Sequence, residues 1–394
     1  MVSATVVIAA PARTPFGRFG GALRDLSAPV LGAVAIDATL ARAGLPSAAI
    51  EAAYLGVGMI GSGMLTPVRQ AVLRSRLRQE TPSFGVDRAC CSGMTAIGLA
   101  FKDIRAGEAS LLLAGGFESL SRTPRLLPRS HSSRVGPVSM DDPLMMRGEV
   151  VQASISGYTA REALQHGVDR AMQDEWALRS HERYFAAEAK GFFGAERVAC
   201  DTASARLDRD EGPRSDTSLE KLAGLKTVYD SETVTAGNAP GLSDGAAAMI
   251  VAEASAASRQ GLAATATILA YAQVCGGPTS GSYTPAVAIH EVLRKAGRRL
   301  DEVALIEINE AFAATPLVST LKLADGDKAG AERLRQRTNV HGGAVAIGHP
   351  LGATGARLVM TLAAGLRARG GGLGVAAICG GFGQGDAILI EVEG

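Results

Sequence analysis

An α/β protein with two half-molecules around an inserted segment is the fold the sequence predicts, and three observations predict it. Short apolar or β-branched runs alternate with longer helical patterns from residue 4 to about 120. From about 121 to 245 that pattern stops; prolines, arginines and serines crowd 121–143, and one long helical stretch dominates the remainder. Near residue 246 strand-helix alternation resumes and runs to the end. Such alternation means a largely parallel sheet buried on both faces by helices.

The elements follow in order. "ATVVIAA" (4–10) reads as a buried strand and 28–45 as a helix ended by Gly44. "AAYLGVGMI" (52–60) is a strand, and 67–77 a helix with proline in its first turn. Beyond the pair Cys90-Cys91, the residues Met94, Ile97, Phe101 and Ile104 give a helix one apolar face, which Gly107 stops. "SLLLAGG" (110–116) is the next strand. In the insert, 170–191 is one long helix; beyond it, "AAAMIVA", "ATILAYAQV", "VALIEI" and "GLGVAAICGG" read as strands, with helices over 286–297 and 355–370. "LLLAGGFES" (111–119) and "VAAICGGFGQG" (375–385) are both an apolar strand running into Gly-Gly-Phe, an echo that fits a duplicated unit without establishing one. The expected partition is 1–120 completed by 246–262, an inserted loop or lid domain at 121–245, and 263–394.

Composition narrows the function. A chain of 394 residues suggests two to three domains at roughly 150 residues each. The net charge of +1, with no long basic run, does not fit a nucleic-acid surface and favours a small-molecule ligand. Five scattered cysteines argue for a reducing compartment, and none has zinc spacing. No stretch of about twenty apolar residues is present, so a cytoplasmic protein without membrane contact is expected.

Chemistry-bearing residues gather where strands meet helices, the place where α/β folds bind ligands. Cys90 and Cys91 precede the helix that begins near Ser92. The positive end of a helix favours a thiolate by about 0.3–1 kcal/mol, up to ~2 if partly buried. That is roughly one pKa unit, too little to ionise a thiol at pH 7, so a nucleophile here needs a base; the plain alternative is a small buried hydrophobe. His341 and His349 lie in Gly-rich sequence, and His349 precedes a helix, although a structural role is the commoner one for a lone histidine. Cys379 ends a strand and enters "CGGFGQG", where successive N–H groups can face an oxyanion or merely form a turn. Asn309 follows "ALIEI" and is equally readable as a helix cap.

Two motifs are formal only. "GLSDG" (241–245) would make Ser243 a hydrolase nucleophile, but a nucleophile elbow needs strand, turn and helix, and here a strand follows. "GVGMIG" (56–61) would be a dinucleotide loop, but no helix opens within it.

"CCSG" (90–93), "AGGFESLS" (114–121), "TVTAGNAPGLSDGAAA" (233–248), "NEAF" (309–312), "NVHGGAVAIGHPLGATG" (339–355) and "CGGFGQG" (379–385) occur together and in order. On these motifs the chain resembles the thiolases over nearly its whole length. The resemblance implies layered α-β-α-β-α architecture and thiolytic cleavage or Claisen condensation of 3-ketoacyl-CoA, with no metal or dissociable cofactor. It implies Cys90 as nucleophile, with Cys91 a packing residue, and His349 as its base. It further implies Cys379 as acid/base at the α-carbon, Asn309 holding an oxyanion-hole water, and the Cys90 and Gly381 backbone N–H groups as a second hole. Arg214, in "DEGPR", and Ala239 and Gly241 become expected CoA contacts, acyl-CoA and CoA the ligands, and a homodimer or homotetramer the assembly. A non-catalytic thiolase-like protein, or another condensing enzyme of this fold, is the rival; the presence of both cysteines and His349 argues against it. Three departures from the family pattern stand out: Ser156 where methionine is frequent, Pro240 in "AGNAPG", and Phe382 in place of a glycine.

Overall fold

The computed structural model describes all residues except 1–3, 60–64, 128, 130–134, 136 and 203–205. The first half supplies β1 (Val6–Arg13), α1 (Ala28–Ala43), β2 (Ala52–Gly56), α2 (Pro67–Arg74), β3 (Ser83–Val86), α3 (Ser92–Ala106) and β4 (Leu111–Ser119). The intervening segment carries α4 (Ile155–Gln165) and α5 (Arg170–Ala189). Then come β5 (Ser243–Glu253), β6 (Ala264–Cys275), α6 (Thr284–Ala296), β7 (Val303–Ile308), α7 (Ala314–Leu323), α8 (Lys328–Gln336), α9 (Leu351–Ala368), β8 (Gly372–Gly380) and β9 (Gln384–Val392).

These strands form one large sheet in the order β7-β8-β9-β6-β1-β5-β4-β2-β3. The expectation of a largely parallel sheet needs correction. Only β7–β8, β2–β3 and β2–β4 are parallel, whereas β1–β5, β1–β6, β4–β5, β8–β9 and β6–β9 are antiparallel. Most strands are covered on both faces and read as continuous apolar runs, a pattern that carries no information about strand direction; β3 and the ends of β6 are partly exposed.

The two faces feed different cores. Val6 and Ile8 join an inner core with Met94 and Ile97 of α3 and Leu358 and Val359 of α9. Their neighbours Val7 and Ala9 join an outer core with Leu31 and Ile36 of α1. This is the period-2 alternation of a strand. On the other half, Val375 and Leu389 face α6 through Ile289 and Val292. Helix layers therefore lie outside both half-sheets, with α3 and α9 between them. The echo is an architectural one: β1-α1 matches β6-α6, and α3-β4 matches α9-β8.

A fully buried cation ties the intervening segment to the first half. Arg13 Nε donates to Glu196 (2.7 Å) and Nη1 to Asp210 (2.7 Å), and Asp210 also accepts from Phe16 N (2.8 Å). Burial raises the Asp210 pKa, but Arg13 more than offsets this and holds the carboxyl below its ordinary range. The stability it contributes is thus complete above the unfolded value near 3.9 and is lost as pH falls through the lower folded value. Arg13→Met leaves Glu196 without this buried cation and Asp210 with only the longer Arg197 contact (3.5 Å), and is expected to cost about 3–5 kcal/mol in urea unfolding.

Candidate active site

The local chain geometry places Cys90 before its side chain is considered. Ala89 has φ 50°, a left-handed conformation that turns the chain out of β3 and into α3. Ser92 Oγ fixes that turn, donating to Ala89 O (2.6 Å) and accepting from Arg88 N (2.8 Å). The loop after β8 lies directly on it. A methyl group at Gly380 would fall 2.8 Å from Arg88 O and 2.9 Å from Cys91 Sγ, and one at Gly381 would be 3.5 Å from Ala89 Cβ. The two cysteine-bearing loops consequently touch, with Cys90 and Cys379 8% and 6% exposed. Cys91 faces inward, its thiol 3.6 Å from Ile378 O.

His349 arrives from the first turn before α9. Glycines let α9 approach α3 and β4 at backbone contact: a methyl group at Gly352 would lie 2.5 Å from Phe117 O and 2.6 Å from Gly56 O. Glu118 joins the parts, one carboxylate oxygen accepting from Gly58 N (2.8 Å) and Gly352 N (3.1 Å). Asn309 comes from the end of β7, whose parallel register beside β8 sets its N–H on Ala377 O (2.9 Å). Its Nδ2 is 3.4 Å from His349 Nε2, and its Oδ1 has no hydrogen-bond partner among the described residues. The Cys90 and Cys379–Gly381 loops thus meet, Asn309 lies against His349, and a methyl group at Gly58 would touch both Ala89 O (2.9 Å) and Leu351 Cβ (2.7 Å), which brings the turn after His349 to the Cys90 loop.

The hydrogen bonds assign the imidazole tautomer. Thr354 Oγ1 donates its single proton to Pro350 O (2.9 Å) and so accepts from His349 Nδ1–H (2.8 Å). The Nε2 lone pair is left for the site, with Asn309 donating toward it. Thr354→Val orphans that buried N–H. The expected loss is about 1–3 kcal/mol, roughly 5- to 150-fold in kcat/KM; Thr354→Ser restores most of it, and steady-state kinetics of both variants check this.

Electrostatics corrects the idea that the helix end acidifies Cys90. Burial, the Cys379 thiol and Glu118 together push its pKa up. Burial and Glu162 likewise push Cys379 up to about 12. Burial and Arg357 lower His349 to about 3. The resting pair is therefore a neutral thiol beside a neutral imidazole, and desolvation outweighs the dipole. Because the unfolded imidazole holds its proton more tightly, His349 lowers stability only as pH falls from about 6.5 toward 3.

The expected ligand contacts lie around this centre. Ser243 opens β5 rather than an elbow; its Oγ donates to Gly241 O (2.6 Å) and accepts from His349 N (3.2 Å), so it orders the base and is no nucleophile. Gly241 is exposed and Ala239 half-buried beside it. Gly212 packs on Ala346 O, which brings exposed Arg214 to the same side as the turn into His349; its backbone N donates to His181 (3.2 Å). In "GVGMIG", Gly56 serves close contact with Ser92 and Gly93, while Ile60 and Gly61 lie outside the described residues. Phe382 sits at φ 59° with its ring over Gly148, and Ser156 is buried 3.0 Å from Ser154 Oγ.

Glu118 and Thr354 were not singled out by the sequence. Their neighbouring motifs are visible, but nothing in residue type marks which side chain ties two loops together. Among the described residues, no group of three or more His, Cys, Asp or Glu could hold a metal ion, and no helix is long and apolar enough to cross a membrane.

Comparison with known proteins decides the family. Models of the thiolase N-terminal and C-terminal domains match residues 6–255 and 262–392. The chain belongs to the thiolase family. A probable acetyl-CoA acetyltransferase of Mycolicibacterium smegmatis is 39% identical over 98% of this chain and 100% of that protein. A beta-ketoadipyl-CoA thiolase of Pseudomonas aeruginosa is 37% identical over 99% and 100%. The crystal structure of human mitochondrial 3-ketoacyl-CoA thiolase in complex with CoA superposes with a TM-score of 0.92 at 34% identity, over 99% of this chain and 98% of that one.

Proposed function

We propose that this thiolase transfers acyl groups between Cys90 and CoA, with reversible condensation and cleavage of 3-ketoacyl-CoA. The observation that carries the reading is the joining of the Cys90 and Cys379 loops beside a histidine whose Nε2 lone pair is assigned by Thr354.

The resting groups are neutral, so the thiol ionises as it reacts. Cys90 Sγ bonds to the substrate carbonyl carbon while its proton passes to His349 Nε2. The protonated Nε2, together with a water held by Asn309, then supplies donors for one oxyanion; the Cys90 and Gly381 N–H groups serve the other. In cleavage, the carbon–carbon bond breaks to an acetyl-CoA enolate, which Cys379 protonates. CoA–SH then gives its proton to the Cys379 thiolate and its sulfur attacks the acyl-Cys90 thioester, and Cys90 leaves by taking back the proton held on His349. In condensation Cys379 removes the α-proton instead. CoA enters on the side of Arg214, Ala239 and Gly241, the first two domains being 1–120 with 246–262 and the insert 121–245, and the third 263–394. A cytoplasmic homodimer or homotetramer completes the reading.

CoA-dependent cleavage of acetoacetyl-CoA and of longer 3-ketoacyl-CoAs, followed by loss of enolate absorbance, tests it. Cleavage of at least one chain length is expected. Faster turnover of longer or branched chains would follow from the room left by Ser156, and equal rates across chain lengths would remove that selectivity. No cleavage at any length would refute the activity.

A further inference from the structure

A relay of side chains joins the two cysteine-bearing loops, and the proposed reaction gives it no step. It starts two residues before the nucleophile. Arg88 Nη1 donates to Asp386 and to Thr95 Oγ1 (3.0 Å), and Asp386 also accepts from Thr95 Oγ1 (2.6 Å) and Tyr271 Oη (2.6 Å). Asp386 on β9, Thr95 on α3 and Tyr271 on β6 are all buried, so the guanidinium is anchored on three elements. Arg88 Nε then donates to Gln384 Oε1 (2.9 Å), and Gln384 Nε2 donates to Gly381 O (3.1 Å). The partners fix the amide orientation, since a guanidinium only donates and a carbonyl only accepts.

Gly381 has no side chain to hold it in place, and Phe382 after it sits at φ 59°, a left-handed conformation that is costly outside glycine. Gln384 grips Gly381 from both directions. Its backbone pairs with Gly380 in the β8–β9 ladder, which sets the peptide carrying the Gly381 N–H. Its side chain sets the next peptide, through the Gly381 carbonyl. The Arg88 end is equally close to the nucleophile. Arg88 N donates to Ser92 Oγ (2.8 Å), the hydroxyl that closes the turn around Cys90, and a methyl group at Gly380 would lie 2.8 Å from Arg88 O. The bonds from Gly276 N to Gly383 O (2.7 Å) and from Thr284 Oγ1 to Gln384 O (3.1 Å) tie the same loop to the end of β6 and the start of α6 instead.

We propose that Arg88 and Gln384 are positioning residues for the oxyanion hole formed by the Cys90 and Gly381 N–H groups, the Arg88–Gln384–Gly381 relay fixing the separation of the two donors. The inference deepens the proposed thiolase reading and rests on it for the role of that hole. Backbone donors serve a developing oxyanion only when they are set in place before the charge appears. A displacement of one loop against the other therefore lowers the rate of the chemical steps and leaves substrate binding largely as it was.

Two variants and their double test it. Gln384→Met keeps the length and neutrality of the side chain and removes both of its hydrogen bonds. Arg88→Lys keeps the charge beside Asp386 and loses the fork that also reaches Gln384. On the 3-ketoacyl-CoA that wild type cleaves fastest, each is expected to lower kcat by about 10- to 100-fold with KM within about threefold. Because both break one relay, the double variant is expected to lie within about threefold of the worse single variant, far from the product of the two losses. The companion readout is alkylation of Cys90 by iodoacetamide, followed by peptide mass mapping. That displacement uses the thiol and His349 but builds no oxyanion, so its rate is expected to stay within about threefold of wild type. A wild-type kcat in Gln384→Met overturns the proposal, and so does a fall in kcat matched by an equal fall in alkylation, the mark of a damaged loop. Multiplicative losses in the double variant overturn the relay. If Arg88→Lys fails to fold, Gln384→Met, which leaves the buried Asp386 cluster intact, decides alone. An active wild type beside unaffected variants overturns only the proposal; a wild type that cleaves no 3-ketoacyl-CoA overturns the thiolase reading and the role of the hole with it.

Discussion

Cys90→Ala is expected to lower kcat/KM for CoA-dependent cleavage of acetoacetyl-CoA by about 10⁴-fold or more, because no other group can form the acyl intermediate. Cys91→Ala is the matching control. Its thiol faces Ile378 O and the Gly380 backbone, and the proposed mechanism gives it no step. Its loss opens a small cavity, and a change of less than about tenfold is expected. Steady-state kinetics of the two variants separate adjacent thiols that composition alone cannot. Equal losses in both would place the chemistry elsewhere or show that the loop cannot tolerate either change. Near-wild-type activity in Cys90→Ala would contradict the assignment of the nucleophile.

Gly352→Ala is expected to damage the enzyme less, and for a different reason. The added methyl would meet Phe117 O at 2.5 Å and Gly56 O at 2.6 Å. Both obstacles are backbone atoms of the paired strands β4 and β2, so neither can swing aside as a side chain would. Overpacking of this kind costs about 1–3 kcal/mol and sometimes more. The strain falls on the first turn of α9, whose Gly352 N–H is bonded to Glu118 (3.1 Å) and whose preceding turn carries His349. Both urea stability and kcat are therefore expected to fall, kcat by about tenfold or more since small misplacements of catalytic groups are costly. A variant with wild-type stability and rate would mean that α9 can retreat without moving the base.

The sequence made some parts of this molecule legible and hid others for identifiable reasons. Helix ends were readable because they are local events: Gly44, Gly107 and Gly297 each take the left-handed conformation immediately beyond a helix. Cys90, His349, Asn309 and Cys379 were readable because each sits at the end of a strand or the start of a helix within a distinctive motif. Strand direction was not, because double-sided burial erases the alternation that would mark one face. The Arg13 cluster was hidden as well, since its partners lie 183 and 197 residues away and no spacing rule reaches that far. The helix end alone gives the wrong direction for the Cys90 pKa, although the thiol stays protonated on either reading. The dipole is a local and countable effect, whereas the larger burial penalty emerges only when two distant loops close over the thiol.

Mass mapping of the acyl-enzyme tests the central claim most directly. The protein is incubated briefly with acetyl-CoA or acetoacetyl-CoA in the absence of free CoA, quenched in acid and digested. The account predicts one acyl group on the peptide containing Cys90, at the Cys90 thiol, absent from Cys90→Ala and discharged when CoA is added before quenching. An acyl group on Ser243, Cys91 or Cys379 instead, or no covalent acylation in a protein that still cleaves 3-ketoacyl-CoA, would contradict it.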